Sequence, residues 1–422
     1  MQEILYGYRL NPITWAYISA LMMIGIYFKF HRFWSVRNLD LAGLLAFSPA
    51  LLLIYYGLLR DQQELIRTGY VWLFAVGGVF LVRLLLDPVM VRRPLLEPNL
   101  SAGGLTFTGL ALMVFLMANV ITAPKERVEQ LLAEKNVSEA TNPGFPLFDH
   151  FATLSNRAIL DVKPLPRGES HPTLSQVAVC RTVTILAHLA VVMGIVWIGF
   201  RHFDNLHTGV AAGTLYLLTF YTSQLTSQVD HVAPAALLVW AVAAYRRPLL
   251  AGVLLGLVGG LIYYPLFLLP LWIGFYWRRG LFRFTFGVVA ALVLMTVALA
   301  LTAVNTGEFV AQLEQMFGVR SPLQAKLSGF WQFYAPEYRY PVLAGFLALC
   351  GSLAMWPAQK NLGTLLSCST AVLLASQFWL ADSGGLYMGW YLPLLILTIF
   401  RPNLEDRMAL SAVRPLWRRK TA

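Results

Sequence analysis

The sequence predicts an all-α protein, a polytopic bundle of transmembrane helices, and three observations predict it. Of 422 residues, 58% are hydrophobic and only 13% are charged, about half the charged share of a soluble domain. Apolar runs close to the roughly 20 residues that cross a hydrocarbon layer recur along the chain. The short polar segments between them hold most of the Arg and Lys, as expected of a chain threaded back and forth through a bilayer.

Taken in order, the spans fall at residues 12–30, 40–59, 68–86, 103–121, 176–200, 208–223, 231–245, 249–263, 265–277, 284–304, 340–357, 362–380 and 386–400. That makes about thirteen, counting separately the two short ones that meet at "LIYYPLFLLP". There Pro265 removes a backbone donor and bends the chain.

Orientation follows from the cations. Lys29, Arg32 and Arg37 follow the first span, Arg92 and Arg93 the third, Arg246 and Arg247 the seventh, and Arg278, Arg279 and Arg283 the ninth. The tail 401–422 adds Arg401, Arg407, Arg414, Arg418, Arg419 and Lys420. All fall on one side, read as cytoplasmic because Lys and Arg near span ends are retained there. The expectation is a multi-pass protein of an inner or plasma membrane with its N-terminus outside and its C-terminus in the cytoplasm. The basic tail reads as a topology signal attracted to anionic lipid rather than as a nucleic-acid site. The opening "MQEILYGYRLNPITW" lacks a basic start and a small-residue cleavage site, so the first span is expected to stay in the membrane.

Compact chemical motifs are missing: there is no P-loop, Cys-x-x-Cys, Gly-x-Ser-x-Gly or His-Glu-x-x-His. Cys180, Cys350 and Cys368 lie in or beside apolar spans and read as packing residues. His171, His188, His202 and His207 have no ligand spacing, so neither a metal nor a cofactor is expected. Any chemistry must come from scattered groups on three polar segments, 122–175, 224–231 and 305–339, all outside under this orientation.

In the first segment, "KERVEQLLAEKNVSEATNPGFP" starts as a charged amphipathic helix with Val128, Leu131 and Leu132 on one face, and breaks at Asn142-Pro143-Gly144. "PLFDHFATLSNRAILDVKPLPRG" follows, with a helical apolar stripe from Phe148 to Leu160 beginning beside Asp149. Capping that helix is one reading of Asp149. Arg157 and Lys163 are phosphate candidates or solvated charges. In the second segment Gln228, Asp230 and His231 stand at the mouth of the seventh span, where an ionisable pair serves either as an interfacial cap or in a site. The third, "FGVRSPLQAKLSGFWQFYAPEYRYP", sets Arg320, Lys326 and Arg339 among aromatic rings. Arg suits bidentate phosphate contacts, while aromatic residues also gather at membrane interfaces for their own sake.

Two stretches carry a resemblance. "SQLTSQVDHVAPAALLVWAVAAYRRPLLAGVLLGLVGGLIYYPLFLLPLWIGFYWRRG", residues 223–280, joins a polar turn, an apolar span, a basic loop, a Gly-rich span and a Pro-broken pair. In this it resembles the GT-C class of membrane glycosyltransferases, and within it the polyprenyl-phosphate-mannose-dependent mannosyltransferases. "FDHFATLSNRAIL" is similar to that class's outward loop, an acidic residue followed by an aromatic-rich helix ending in Arg-Ala-Ile/Leu-Leu. The resemblance covers roughly residues 103–300. It implies a GT-C-like core over 103–400, preceded by a three-helix addition over 1–102 and followed by the tail.

The resemblance also implies a function: transfer of a mannose-like hexose from a polyprenyl-phosphate donor to an acceptor hydroxyl at the outer face. Asp149 then takes the place of the catalytic base. Gln228, Asp230, His231, Arg157, Lys163, Arg320, Arg339, Tyr263 and Tyr264 bind substrate. The expected partners are a lipid-linked sugar, membrane lipids and a glycan, lipid or protein acceptor, with no nucleic acid. Two departures stand out. Roughly twenty-five extra residues separate the fourth span from Asp149, and Tyr263-Tyr264 stands where related sequences carry a Lys. A transporter or flippase is the rival reading, although transporters hold ionisable residues near the midplane and Asp149, Asp230, Arg320 and Arg339 are expected at the outer surface. A non-catalytic GT-C-like protein is the third, and the Tyr pair permits it.

Overall fold

The structure, a computed structural model, describes residues 11–90, 97–122, 174–225, 228–318, 327–358, 360–381 and 383–404. Among these residues the regular elements are helices, and no strand occurs. In chain order they are α1 (Pro12–Tyr27), α2 (Val36–Leu59), α3 (Gln63–Leu86), α4 (Ala102–Thr122), α5 (Leu174–His202), α6 (Leu206–Leu218) and α7 (Phe220–Gln224). Then come α8 (Val229–Ala243), α9 (Pro248–Leu261), α10 (Leu269–Tyr276), α11 (Leu281–Thr302), α12 (Thr306–Phe317), α13 (Arg339–Met355), α14 (Leu362–Trp379) and α15 (Leu392–Phe400).

Every expected span coincides with a helix or a helix pair. Seven helical stretches are long and apolar enough to cross a membrane: Val36–Leu59, Gln63–Val89, Ala102–Ile121, Arg181–His202, Leu281–Thr302, Pro336–Met355 and Leu362–Trp379. The chain is thus a helical membrane protein of many passes. Two expected spans differ in detail. The stretch 208–223 breaks at Thr219, whose hydroxyl bonds the Tyr216 carbonyl at 2.8 Å and competes with helix continuation. The last helix starts at Leu392 rather than near 386, because a tight 3₁₀ turn, Met388–Trp390, comes first. Pro265 sits in a 3₁₀ turn, Tyr264–Leu268, that joins α9 to α10, as the sequence leads one to expect.

Helix α14 runs through the middle of the bundle with 94% of its span buried. Such a helix must satisfy its own polar side chains, and it does so along its backbone. Ser367 donates to the Gly363 carbonyl, Thr370 to that of Leu366 and Ser376 to that of Leu373. Helices α9 and α11 approach backbone to backbone at Gly252, Gly256 and Gly287, where a Cβ at Gly252 would collide with the Phe284 carbonyl. This is the small-residue packing that membrane helices rely on when lipid gives no hydrophobic drive between them. A further helix was not anticipated in 305–339. α12 is amphipathic, capped by Asn305, and packs Met316 against Met295 and Leu299 of α11.

The 24 residues of α3 extend about 36 Å at 1.5 Å per residue and mark two ends of the molecule. Toward its start, Arg67 lies over the Tyr334 ring at 5.9 Å, and midway along it Phe74 stacks on Phe330 with centroids 4.0 Å apart. At its finish, Arg83 grips Asp40 of α2 with two bonds of 3.1 Å and donates to Asp87 at 2.8 Å. Arg401, just past α15, bonds the other Asp87 oxygen at 3.1 Å. Arg401, one of the expected cytoplasmic cations, thus meets Arg83 at one end, and the aromatic segment 329–338 reaches the other. The first three helices are packed into this frame, with α3 against α14 and the Tyr27 hydroxyl of α1 donating to the Ala211 carbonyl of α6 at 2.8 Å.

Candidate functional site

Helix α8 begins with Gln228 at its N-cap position, without a side-chain cap bond, so that Asp230 and His231 occupy its first turn. Among the described residues the Asp230 carboxylate caps no backbone N–H; its side-chain partner is His231 Nε2 at 3.8 Å. The cap reading of Asp230 therefore finds no hydrogen bond to rest on. The carboxylate is 34% exposed while the His231 side chain is buried.

His231 is held from its far side. Its Nδ1 hydrogen-bonds the Tyr221 hydroxyl of α7, and that same oxygen accepts the Gly389 N–H at 2.7 Å. If Nδ1 carried a proton toward Tyr221, the buried phenol proton would lose its partner. The phenol therefore donates to Nδ1, and Nε2 bears the imidazole proton and points it at Asp230. Gly389 is required here by space, since a Cβ would lie 2.5 Å from the His231 carbonyl. Trp390 adds an Nε1–H bond of 3.1 Å to the Asp230 carbonyl, tying the turn before α15 to the start of α8.

A wall of rings leads away from His231. Its imidazole stacks on Tyr387 at 4.7 Å, Tyr387 on Trp390 at 4.6 Å, Trp390 on Tyr264 at 5.4 Å, and Tyr264 on Tyr263 at 4.1 Å. Tyr263 donates to the Tyr264 hydroxyl at 2.7 Å and its ring abuts Gly318, whose φ of 62° closes α12. Tyr264 also leans on Trp379 at 5.5 Å. The Trp379 carbonyl accepts from Arg339 Nε at 3.3 Å and Nη2 at 3.1 Å. Arg339 is only 6% exposed, at the first position of α13 rather than on a free loop. Nearby, the buried donors Trp379 Nε1 and Gln377 Nε2 make no hydrogen bond among the described residues.

The structure thus draws Asp230, His231, Tyr263, Tyr264 and Arg339 into one assembly at the end of the bundle opposite Arg83. Asp149, Arg157, Lys163 and Arg320 lie outside the described residues. Among the described residues no three of His, Cys, Asp and Glu converge to hold a metal. Tyr221, Tyr387, Trp379 and Trp390 are the members that sequence reasoning missed. They come from segments far apart in the chain, and no motif spacing links them to Asp230.

No family model, curated protein or solved structure matches this chain.

Proposed function

We propose that the protein is a membrane glycosyltransferase that moves a mannose-like hexose from a polyprenyl-phosphate donor to an acceptor hydroxyl at the outer face, within a GT-C-like core of about thirteen spans. One observation carries the reading: an oriented Asp–His pair and a buried Arg stand at opposite ends of a continuous wall of stacked aromatic rings. Aromatic faces bind the apolar faces of sugar rings. A partly exposed carboxylate accepts hydrogen bonds from sugar hydroxyls, and a guanidinium balances a phosphate.

In this reaction the acceptor oxygen attacks the anomeric carbon, the bond from that carbon to the donor phosphate oxygen breaks, and the electron pair leaves on the phosphate. The acceptor proton passes to a general base, the role the resemblance gives to Asp149. Asp230 and His231 position the sugar, and Arg339 offsets the charge on the departing phosphate. Trp379 Nε1, buried and without a hydrogen bond among the described residues, offers a further donor to a sugar or phosphate oxygen. Of the candidate cations, Arg320, Arg157 and Lys163 serve the same phosphate.

The test is transfer from polyprenyl-phosphate-mannose in membranes containing the full chain. Asp149→Asn is expected to abolish transfer while leaving the protein folded and inserted; undiminished turnover would remove Asp149 from the role. Asp230→Asn is expected to lower kcat/KM about 10- to 100-fold, the loss of one hydrogen bond to a charged group. A non-catalytic reading has one observation in its favour: Tyr263 donates to Tyr264 at the place where the GT-C class that the chain resembles carries a Lys. Saturable binding of the donor lipid with no turnover under any acceptor would favour it.

A further inference from the structure

Two adjoining clefts flank Tyr334, on the side of the molecule formed by α3. One, about 390 Å³, is lined by Phe74, Phe330, Trp331, Tyr338, Val342 and Phe378 together with Tyr334. The other, about 660 Å³, runs along α3 past Val79, Val76, Ala75, Trp72 and Val71 to Thr68, Arg67 and Glu64. Val79 is 70% exposed and Trp72 46%, on a helix long and apolar enough to cross a membrane. In a bilayer the medium that meets this trough is hydrocarbon. Its polar end lies on the first turns of α3, where the Arg67 guanidinium rests over the Tyr334 ring at 5.9 Å.

We propose that this groove seats a membrane lipid with an anionic phosphate headgroup, its chain lying along Val71–Val79 and its phosphate against Arg67. The larger cleft is an open one, walled by one face of α3 and by the Tyr334 ring, so a chain along it rests on Val71–Val79 and meets Tyr334 at its head. The charge sits at one end of it, one helical stretch from the apolar floor, which matches an amphiphile with a single charged head. The Tyr334 ring lies 5.9 Å from the guanidinium carbon, a cation–π contact that leaves N–H groups for bidentate phosphate contact. Glu64 lies on the same lining, so the cation that meets the head is Arg67.

The inference needs only that the chain sits in a membrane. Its bearing on the proposed reaction comes from position: Phe378 and Tyr338, which line the smaller cleft, are the immediate neighbours of Trp379 and Arg339. It also gives the first three helices a task, since α3 supplies one side of the groove.

The experiment reconstitutes the full chain in phosphatidylcholine vesicles that carry a minor fraction of photoreactive phosphatidic acid, or of photoreactive phosphatidylcholine with the same chains. After irradiation the labelled peptides are mapped. The expected result is labelling of residues 64–79 and 330–342, about fivefold stronger with phosphatidic acid, the factor that one Arg near an anionic head supplies. Arg67→Gln should abolish that preference, and Arg67→Lys should retain part of it. Equal labelling by both lipids, meaning boundary lipid only, would overturn the proposal, as would labelling confined to other helices. Sugar transfer measured on the same vesicles separates the two readings. Labelling without transfer counts against the enzyme alone, and transfer without preferential labelling counts against the groove alone.

Discussion

Tyr221 shows how a single hydroxyl can set the chemistry of a neighbour. By accepting from Gly389 and donating to His231, it selects one imidazole tautomer and aims Nε2–H at Asp230. Tyr221→Phe removes one oxygen and strands two buried partners, so a stability loss of about 1–3 kcal/mol is expected, read as a lower Tm of the detergent-purified protein. Sugar transfer should fall with it, because the His231 ring loses its anchor. Gly389→Ala places a methyl group against the His231 carbonyl and should disturb the same turn. Transfer at the wild-type rate in that variant would show that the turn before α15 does not position His231.

Among the elements, the helices were readable in the sequence and their partners were not. A membrane helix announces itself by apolar length alone, which is why each of the expected spans finds a helix. Local rules also placed the Pro265 break correctly. What failed was local competition: the Thr219 hydroxyl ended a span early, and the 3₁₀ turn at Met388–Trp390 delayed the last helix. The site was legible only where polar residues interrupt oily runs, as at Asp230 and His231. Tyr387, Trp390 and Trp379 look like ordinary interfacial aromatics in sequence, and only the packing of α8, α14 and the turn before α15 reveals them as one wall. Arg339 was expected on a solvated loop; as the first residue of a helix it is buried against a carbonyl instead. The ionic cluster of α2 and α3 carries a sharper prediction. Asp87 is fully buried between Arg83 and Arg401, so Asp87→Leu takes the carboxylate from the buried Arg401 while Arg83 keeps Asp40, and should cost about 3–5 kcal/mol. Low yield and a reduced Tm should report it, with Arg401→Leu in addition restoring part of the loss.

At the level of the whole molecule, charge and aromatic residues separate toward two ends, and that separation makes the topology testable. With Cys180, Cys350 and Cys368 replaced, Glu337→Cys should react with a membrane-impermeant maleimide in intact cells. Arg278→Cys should react only after permeabilisation. The reverse pattern would invert the proposed orientation and move the Asp230–Arg339 assembly to the cytoplasmic face. Both positions are exposed in the structure, so accessibility depends on the membrane side and not on burial. The bundle also explains why no compact motif appears: a wall assembled from α7, α8, α13, α14 and the two turns at Tyr264 and Tyr387 needs only one or two residues from each.

The bridge from Asp87 to Arg401 also sets an order of events during synthesis. The two residues are 314 positions apart, and at about 5–20 residues per second a ribosome needs roughly 15 to 60 seconds to travel from one to the other. For that interval Asp87 is already at the translocon beside Arg83 and still lacks Arg401. The first helices therefore wait until the last helix arrives, and a ribosome stalled in the distal spans would leave Asp87 short of one of its cations, where quality-control factors can find it.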